Sequence, residues 1–308
     1  MQSEKVRWAK LSVVSNSILT ILKIIVGMMT GSVSIVAEGA HSAVDLIASV
    51  ITFVSVKVAG RKADERHHYG HGKVENLAGA IEGVLIFFAA GYIIFEALPK
   101  LRHNEGPEQL GWGVGVMALS SLVNLGVSQK LFSVAKKTDS PALAADAWHL
   151  RTDVYTSAGV LGGLVLIKLT GMPIFDPVLA LIVACFIIKA AWDITMEGLS
   201  HMVDASLPDD EMKKVHDAIA AHGQDFVEFH ELRARKSGSQ RFIDLHLVVP
   251  QDMPMRMAHD ICNMIEGQIE ANLPNSSVLI HPEPCEKLDC KICGMVGATG
   301  CTEAEVAD

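Results

Sequence analysis

Two pairs of ionisable residues, His41 with Asp45 and His149 with Asp153, share the spacing His-x-x-x-Asp within largely apolar stretches. Positions i and i+4 lie on one helical face about one turn apart, so each pair can reach a single ion. A charged side chain in the middle of a membrane helix costs about 2.5–3.5 kcal/mol on insertion scales, so groups placed there call for a compensating role. One such role is helix-to-helix hydrogen bonding that holds a bundle together. The other is that two helices pack and the four groups surround a divalent cation. Zinc takes four tetrahedral ligands, with imidazole nitrogen or carboxylate oxygen at about 2.0–2.2 Å, and two carboxylates cancel its double charge. Magnesium or calcium calls for more oxygen ligands, whereas cobalt, nickel and ferrous iron also accept nitrogen. Glu38 and Asp146 sit one turn before the two histidines, as outer groups, proton acceptors or solvent-facing caps.

Other groups with ligand chemistry follow along the chain. Asp64, His67 and His71 are spaced Asp-x-x-His-x-x-x-His; three such ligands bind zinc with an open fourth position, or else form a solvated polar loop. His230, His246, His259, His281 and Glu283 are scattered through the C-terminal region, where isolated histidines are ordinary surface residues. Cys285, Cys290, Cys293 and Cys301 contain one Cys-x-x-Cys step. Four thiolates can hold a structural zinc, although the spacing is not that of a standard ribbon, and a lone Cys-x-x-Cys is redox-active or idle. Cys185 and Cys262 read as packing residues.

The elements that must position these groups divide the chain in two. Half of the 308 residues are hydrophobic, only 20% are charged, and the mean hydropathy is +0.31. This composition excludes a disordered chain and a small disulfide scaffold. A net charge of −9 argues against a nucleic-acid binder. A membrane helix needs about 20 mostly apolar residues, and six stretches qualify: Leu11–Met29, Val33–Val58, Val74–Leu98, Trp112–Val134, Leu150–Thr170 and Pro177–Met196. The first follows Lys5, Arg7 and Lys10 as a secretory signal would, but it is too long and lacks a cleavage site. Lys and Arg concentrate before the first span, between the second and third, and between the fourth and fifth. That bias places both termini in the cytoplasm. Lys23 lies in the middle of the first span and is expected to snorkel or to tie helices together.

Beyond about Asp204 the texture becomes that of a soluble domain. A helix is predicted over Pro208–His222, strands over Phe226–Arg235 and Arg241–Val249, a helix over Pro254–Leu273 and a strand over Ser277–His281. The expected organisation is a six-helix transmembrane domain over 1–203, a small cytoplasmic α+β domain (α-β-β-α-β, ferredoxin-like) over 204–285, and a cysteine-containing tail over 286–308.

Three segments together carry a resemblance: Ala37-Glu-Gly-Ala-His41-Ser-Ala-Val-Asp45, His67-His-Tyr-Gly-His71-Gly-Lys73-Val-Glu75, and Asp146-Ala-Trp-His149-Leu-Arg-Thr-Asp153. With Phe175-Asp-Pro and the C-terminal domain, in this order and spacing, they resemble the cation diffusion facilitator family over roughly residues 8–285. The resemblance implies a homodimeric divalent-cation/proton antiporter with a metallochaperone-like cytoplasmic domain. It implies a transport site at His41, Asp45, His149 and Asp153, in a His-Asp combination similar to that of the zinc subgroup. It implies a weaker second site in the loop at Asp64, His67 and His71. His230, His246, His259, His281 and Glu283 match the family's regulatory zinc cluster, in which two ions help to bring the protomers' domains together. Glu283 replaces an aspartate of the best-matched members, and its longer side chain can shift the geometry. Lys73 and Asp204 match an inter-domain charge pair.

The expected function is therefore zinc export from the cytoplasm, driven by protons that compete for the same ligands. His41 and His149 are the expected carriers, because free imidazole titrates near pH 6.5. No enzyme activity and no nucleic-acid partner are expected. Fe2+, Cd2+, Co2+ or Mn2+ as cargo is the alternative within this class; a membrane-anchored metal sensor is the alternative outside it. The short, histidine-poor connection between the fourth and fifth spans resembles bacterial members, which implies an inner (plasma) membrane.

Overall fold

A computed structural model describes the backbone of residues 2–30, 33–103, 111–170, 172 and 174–285. Six long helices come first: α1 (Gln2–Thr30), α2 (Val33–Ala59), α3 (Lys73–His103), α4 (Gly111–Thr138), α5 (Pro141–Thr170) and α6 (Phe175–Met202). Among the described residues, α1, α3 and α6 are long and apolar enough to cross a bilayer, over Gln2–Met29, Lys73–Pro99 and Pro177–Met202. Helices α2, α4 and α5 have 27, 28 and 30 residues, enough at 1.5 Å per residue for a hydrocarbon core of about 30 Å.

Two helix starts differ from the expectation. Helix α1 begins at Gln2 rather than Leu11, and α5 at Pro141 rather than Leu150. Apolar runs mark where a helix meets lipid, not where its hydrogen bonds begin. Proline is favoured at a first helical position, where its missing N–H is not needed. His149 consequently lies well inside α5 rather than at its start.

Helices α3 and α6 approach closely because glycine removes side chains at the contact. A Cβ at Gly198 would lie 2.8 Å from the Asn76 carbonyl oxygen and 2.9 Å from the Ala80 Cβ. One at Gly83 would lie 2.9 Å from the Thr195 backbone nitrogen. A buried ion pair ties α1 to α3: Lys5 Nζ donates to Glu75 Oε1 over 2.9 Å, with each residue 2% exposed. The Ser140 hydroxyl, just before α5, donates to the other Glu75 oxygen.

A second compact unit begins at Val203. It contains α7 (Asp209–Ala220), β1 (Glu228–Ser237), β2 (Gln240–Val249), α8 (Met255–Asn272) and β3 (Ser276–Pro284), in the α-β-β-α-β order expected. The sheet order is β1-β2-β3, with β1 antiparallel and β3 parallel to β2. Alternate β2 residues Ile243, Leu245, Leu247 and Val249 form one core with Val215 and Ile219 of α7 and Ile265 and Ile269 of α8. The helices therefore cover one face of the sheet. Strand periodicity turns Asp244 and His246 to the other face. Strand β1 is interrupted by a bulge between His230 and Arg233, where Glu231 adopts a positive φ of 50°.

Candidate metal centres

Helices α2 and α5 bring Asp45, His149 and Asp153 together, with one ligand atom of each within 4.8 Å of the others. His149 Nε2 lies 3.1 Å from Asp45 Oδ1, and the two residues are each 6% exposed. The other ring nitrogen, His149 Nδ1, is buried without a hydrogen-bond partner among the described residues. One imidazole and two carboxylates in a buried setting suit zinc, and they leave room for a fourth donor. His41 lies on α2 one turn before Asp45; its side chain lies outside the described residues, as does that of Glu38.

Further polar side chains lie on the helices around this group. Asn124 of α4 donates from Nδ2 to Asp153 Oδ2 over 3.3 Å. Asp146 is fully buried and accepts a hydrogen bond of 3.1 Å from Ser49 of α2, and Asn16 of α1 donates to that same Ser49 hydroxyl over 2.6 Å. The burial of Asp146 is not that of a solvent-facing cap. Glu82 of α3 is fully buried and accepts from the Thr52 hydroxyl. The signal for part of this set was available, since Ser42, Asp45, Ser49 and Thr52 recur at three- and four-residue spacing along one helix face. Lys23 donates to the Ser42 hydroxyl over 2.7 Å, which gives it the interhelical role rather than a snorkelling one.

The loop between α2 and α3 gathers Asp64, His67 and His71. Asp64 Oδ1 accepts from the backbone N–H groups of Arg66 (2.9 Å) and His67 (2.8 Å). It also lies 3.1 Å from His67 Nδ1, while Asp64 Oδ2 lies 3.4 Å from His71 Nε2. His68 turns to the Glu65 carbonyl (3.1 Å) and stands apart from the group. The Arg66 N–H, followed by the contacts to His67, holds the Asp64 carboxyl below its ordinary value of 3.8. A depressed folded value means that the stabilisation is fully present above pH 3.8 and is lost as pH falls through the lower, folded value. A carboxyl 13C titration of Asp64 is accordingly expected to have its midpoint below 3.8; a midpoint at or above that value would contradict the loop geometry.

In the second unit, His230 on β1, His246 on β2 and Glu283 on β3 converge on the helix-free face of the sheet. Register explains this: His230 pairs with His246, and His246 with His281, across the three strands. Glu283 Oε1 lies 2.9 Å from His246 Nδ1, and its Oε2 lies 3.4 Å from His230 Nε2. His281 Nε2 is 3.7 Å from Glu283 Oε1, and its ring centroid is 5.1 Å from that of His246. Two imidazoles and a carboxylate are again a donor set that zinc accepts. His259 is exposed on α8, whose buried side packs on the opposite face of the sheet, and the single chain does not bring it into the group. Cys285 is buried just after β3; Cys290, Cys293 and Cys301 lie outside the described residues. Lys73 Nζ donates to the Met202 carbonyl over 3.0 Å, and Asp204 Oδ1 lies 3.2 Å from an Arg235 guanidinium nitrogen.

Comparison with known proteins adds an independent line. A family model described as the cation efflux transmembrane domain matches residues 9–203. A second, described as the cation efflux protein cytoplasmic domain, matches residues 207–285. The chain is 35% identical over 294 residues to the cation-efflux pump FieF of Yersinia pestis (strain Pestoides F), covering 92% of this chain and 96% of that protein. It is 33% identical over 258 residues to the uncharacterized transporter sll1263 of Synechocystis sp., covering 84% and 83% respectively.

Proposed function

Because the chain belongs to the cation diffusion facilitator family of cation-efflux transporters, we propose that it exports a divalent metal, zinc foremost, in exchange for protons. It is a membrane transporter and not an enzyme. The observation that carries the metal reading is the convergence of buried Asp45 and His149 with half-buried Asp153 within the transmembrane domain. In this reading the cargo is held by those three residues, and His41 supplies the fourth ligand from the next turn of α2. Metal binding requires deprotonated ligands, so protonation and metal release are linked at the same atoms. That linkage lets a proton gradient drive export without ATP.

The family's cytoplasmic domain is one of dimerisation, and a homodimer is the proposed working form. Six spans with both termini in the cytoplasm are the proposed topology, supported by the apolar runs and the placement of Lys and Arg. An inner (plasma) membrane is proposed from the likeness of the histidine-poor connection between the fourth and fifth spans to bacterial members. The loop group and the β-sheet group are proposed as further metal sites facing the cytoplasm.

The test is metal flux in proteoliposomes with and without an imposed pH gradient. Gradient-dependent zinc flux is the expected result. Absence of flux with zinc, iron, manganese, cobalt and cadmium alike would overturn the transport mechanism and favour a membrane-anchored sensor.

A further inference from the structure

The β1 bulge brings a second carboxylate to the cytoplasmic histidine cluster. Consecutive residues of a strand normally point to opposite faces, so with His230 on the helix-free face Glu231 would belong to the other side. The ring centroids of His230 and His246 are 5.4 Å apart, and yet Glu231 Oε2 also approaches His246, to 3.8 Å from Nε2. Both approaches are possible because pairing slips between His230 and Arg233. Glu231 takes up the slip with a φ of 50°, a conformation that a residue with a side chain adopts at a cost. Bulges of this kind commonly re-aim a side chain beside a functional site, and strained backbone gathers at such sites.

The two nitrogens of His246 consequently face different acids. Nδ1 is 2.9 Å from Glu283 Oε1, and Glu283 in turn reaches His230 Nε2 at 3.4 Å. An ion held by His230, His246 and Glu283 therefore meets His246 on its Nδ1 side, which leaves Nε2 turned toward Glu231. A ligating histidine generally donates its other N–H to a carboxylate or carbonyl, which fixes the tautomer and raises the basicity of the bound nitrogen. We propose that Glu231, folded back by the bulge, closes from 3.8 Å to take the Nε2–H of His246 when metal binds, and so presents Nδ1 to the cytoplasmic metal. Glu231 is thus a positioning residue for that site. The inference rests on the reading of His230, His246 and Glu283 as a metal site.

The test uses the full-length protein in detergent, with zinc alone as the probe. Chelator-competition titrations on the wild type and on His246→Ala define the component of binding that His246 supports. Glu231→Met is expected to weaken that component about 10–100-fold, and Glu231→Gln, which keeps an acceptor oxygen, to weaken it less. In 15N spectra of histidine-labelled wild type with zinc, His246 is expected to show a metal-bound Nδ1 and a protonated Nε2. Unchanged affinity in a folded Glu231→Met, or a metal-bound Nε2 in the wild type, would overturn the inference. Undiminished binding in His246→Ala would instead remove the metal-site reading beneath it.

Discussion

Asp45→Ala is expected to abolish metal transport, with flux at least ~100-fold below wild type, while the protein remains folded. Loss of an outer-shell partner of a metal ligand already costs about 10–100-fold in affinity or activity, and Asp45 is itself one of the three convergent donors. Its loss also leaves His149 Nε2 without the carboxylate now 3.1 Å away. An unsatisfied buried polar atom costs about 1–3 kcal/mol, which is moderate against helix packing, and alanine is the best helix former. Zinc flux in proteoliposomes, together with size-exclusion of the same preparation, separates the two effects. Wild-type flux in a folded Asp45→Ala protein would remove the assignment of the transport site.

Lys5→Ala is expected to lower stability by roughly 3–5 kcal/mol, because removing one partner of a buried pair leaves the other charge uncompensated. Lys5 and Glu75 are each 2% exposed and 2.9 Å apart, so water does not replace the lost ammonium. Replacing both partners by uncharged groups of similar size, as in Lys5→Met with Glu75→Gln, is expected to recover much of the loss, since well-packed substitutes for buried ion pairs are often neutral. Thermal unfolding of the three proteins in one detergent provides the comparison. A single variant as stable as wild type would show that the pair is not what joins α1 to α3.

The relation between sequence and structure is clearest at the metal groups. Each His-x-x-x-Asp pair occupies one helix, so periodicity alone aligns its members. The meeting of Asp45 with His149 depends on which faces of α2 and α5 pack, and only the family resemblance supplied that. Ser49 and Thr52 share one helix face with Asp45, but residue type alone leaves their partners open for a physical reason. Serine and threonine in apolar helices often bond to their own backbone, as Ser17 does to Val13, Thr138 to Val134 and Thr195 to Ala191. A hydroxyl in a span therefore does not by itself signal a neighbouring helix. Glu82 was legible, being an acid well inside an apolar run, where burial demands a partner. In the soluble unit, alternation gave the strands closely, but the bulge that re-aims Glu231 follows from the pairing of two distant segments and has no local signature.

The hydrogen bond from Ser49 to Asp146 spans 97 residues of chain. At about 5–20 residues per second of synthesis, Ser49 is made some 5–20 s before its acceptor exists. During that interval Asn16 can already donate to the Ser49 oxygen across α1 and α2, whereas the Ser49 O–H lacks the Asp146 carboxylate that accepts it in the finished fold. Synthesis thus orders the members of this polar junction: both partners on α1 and α2 exist before α5 does, and Asp146 is the last of them to be made.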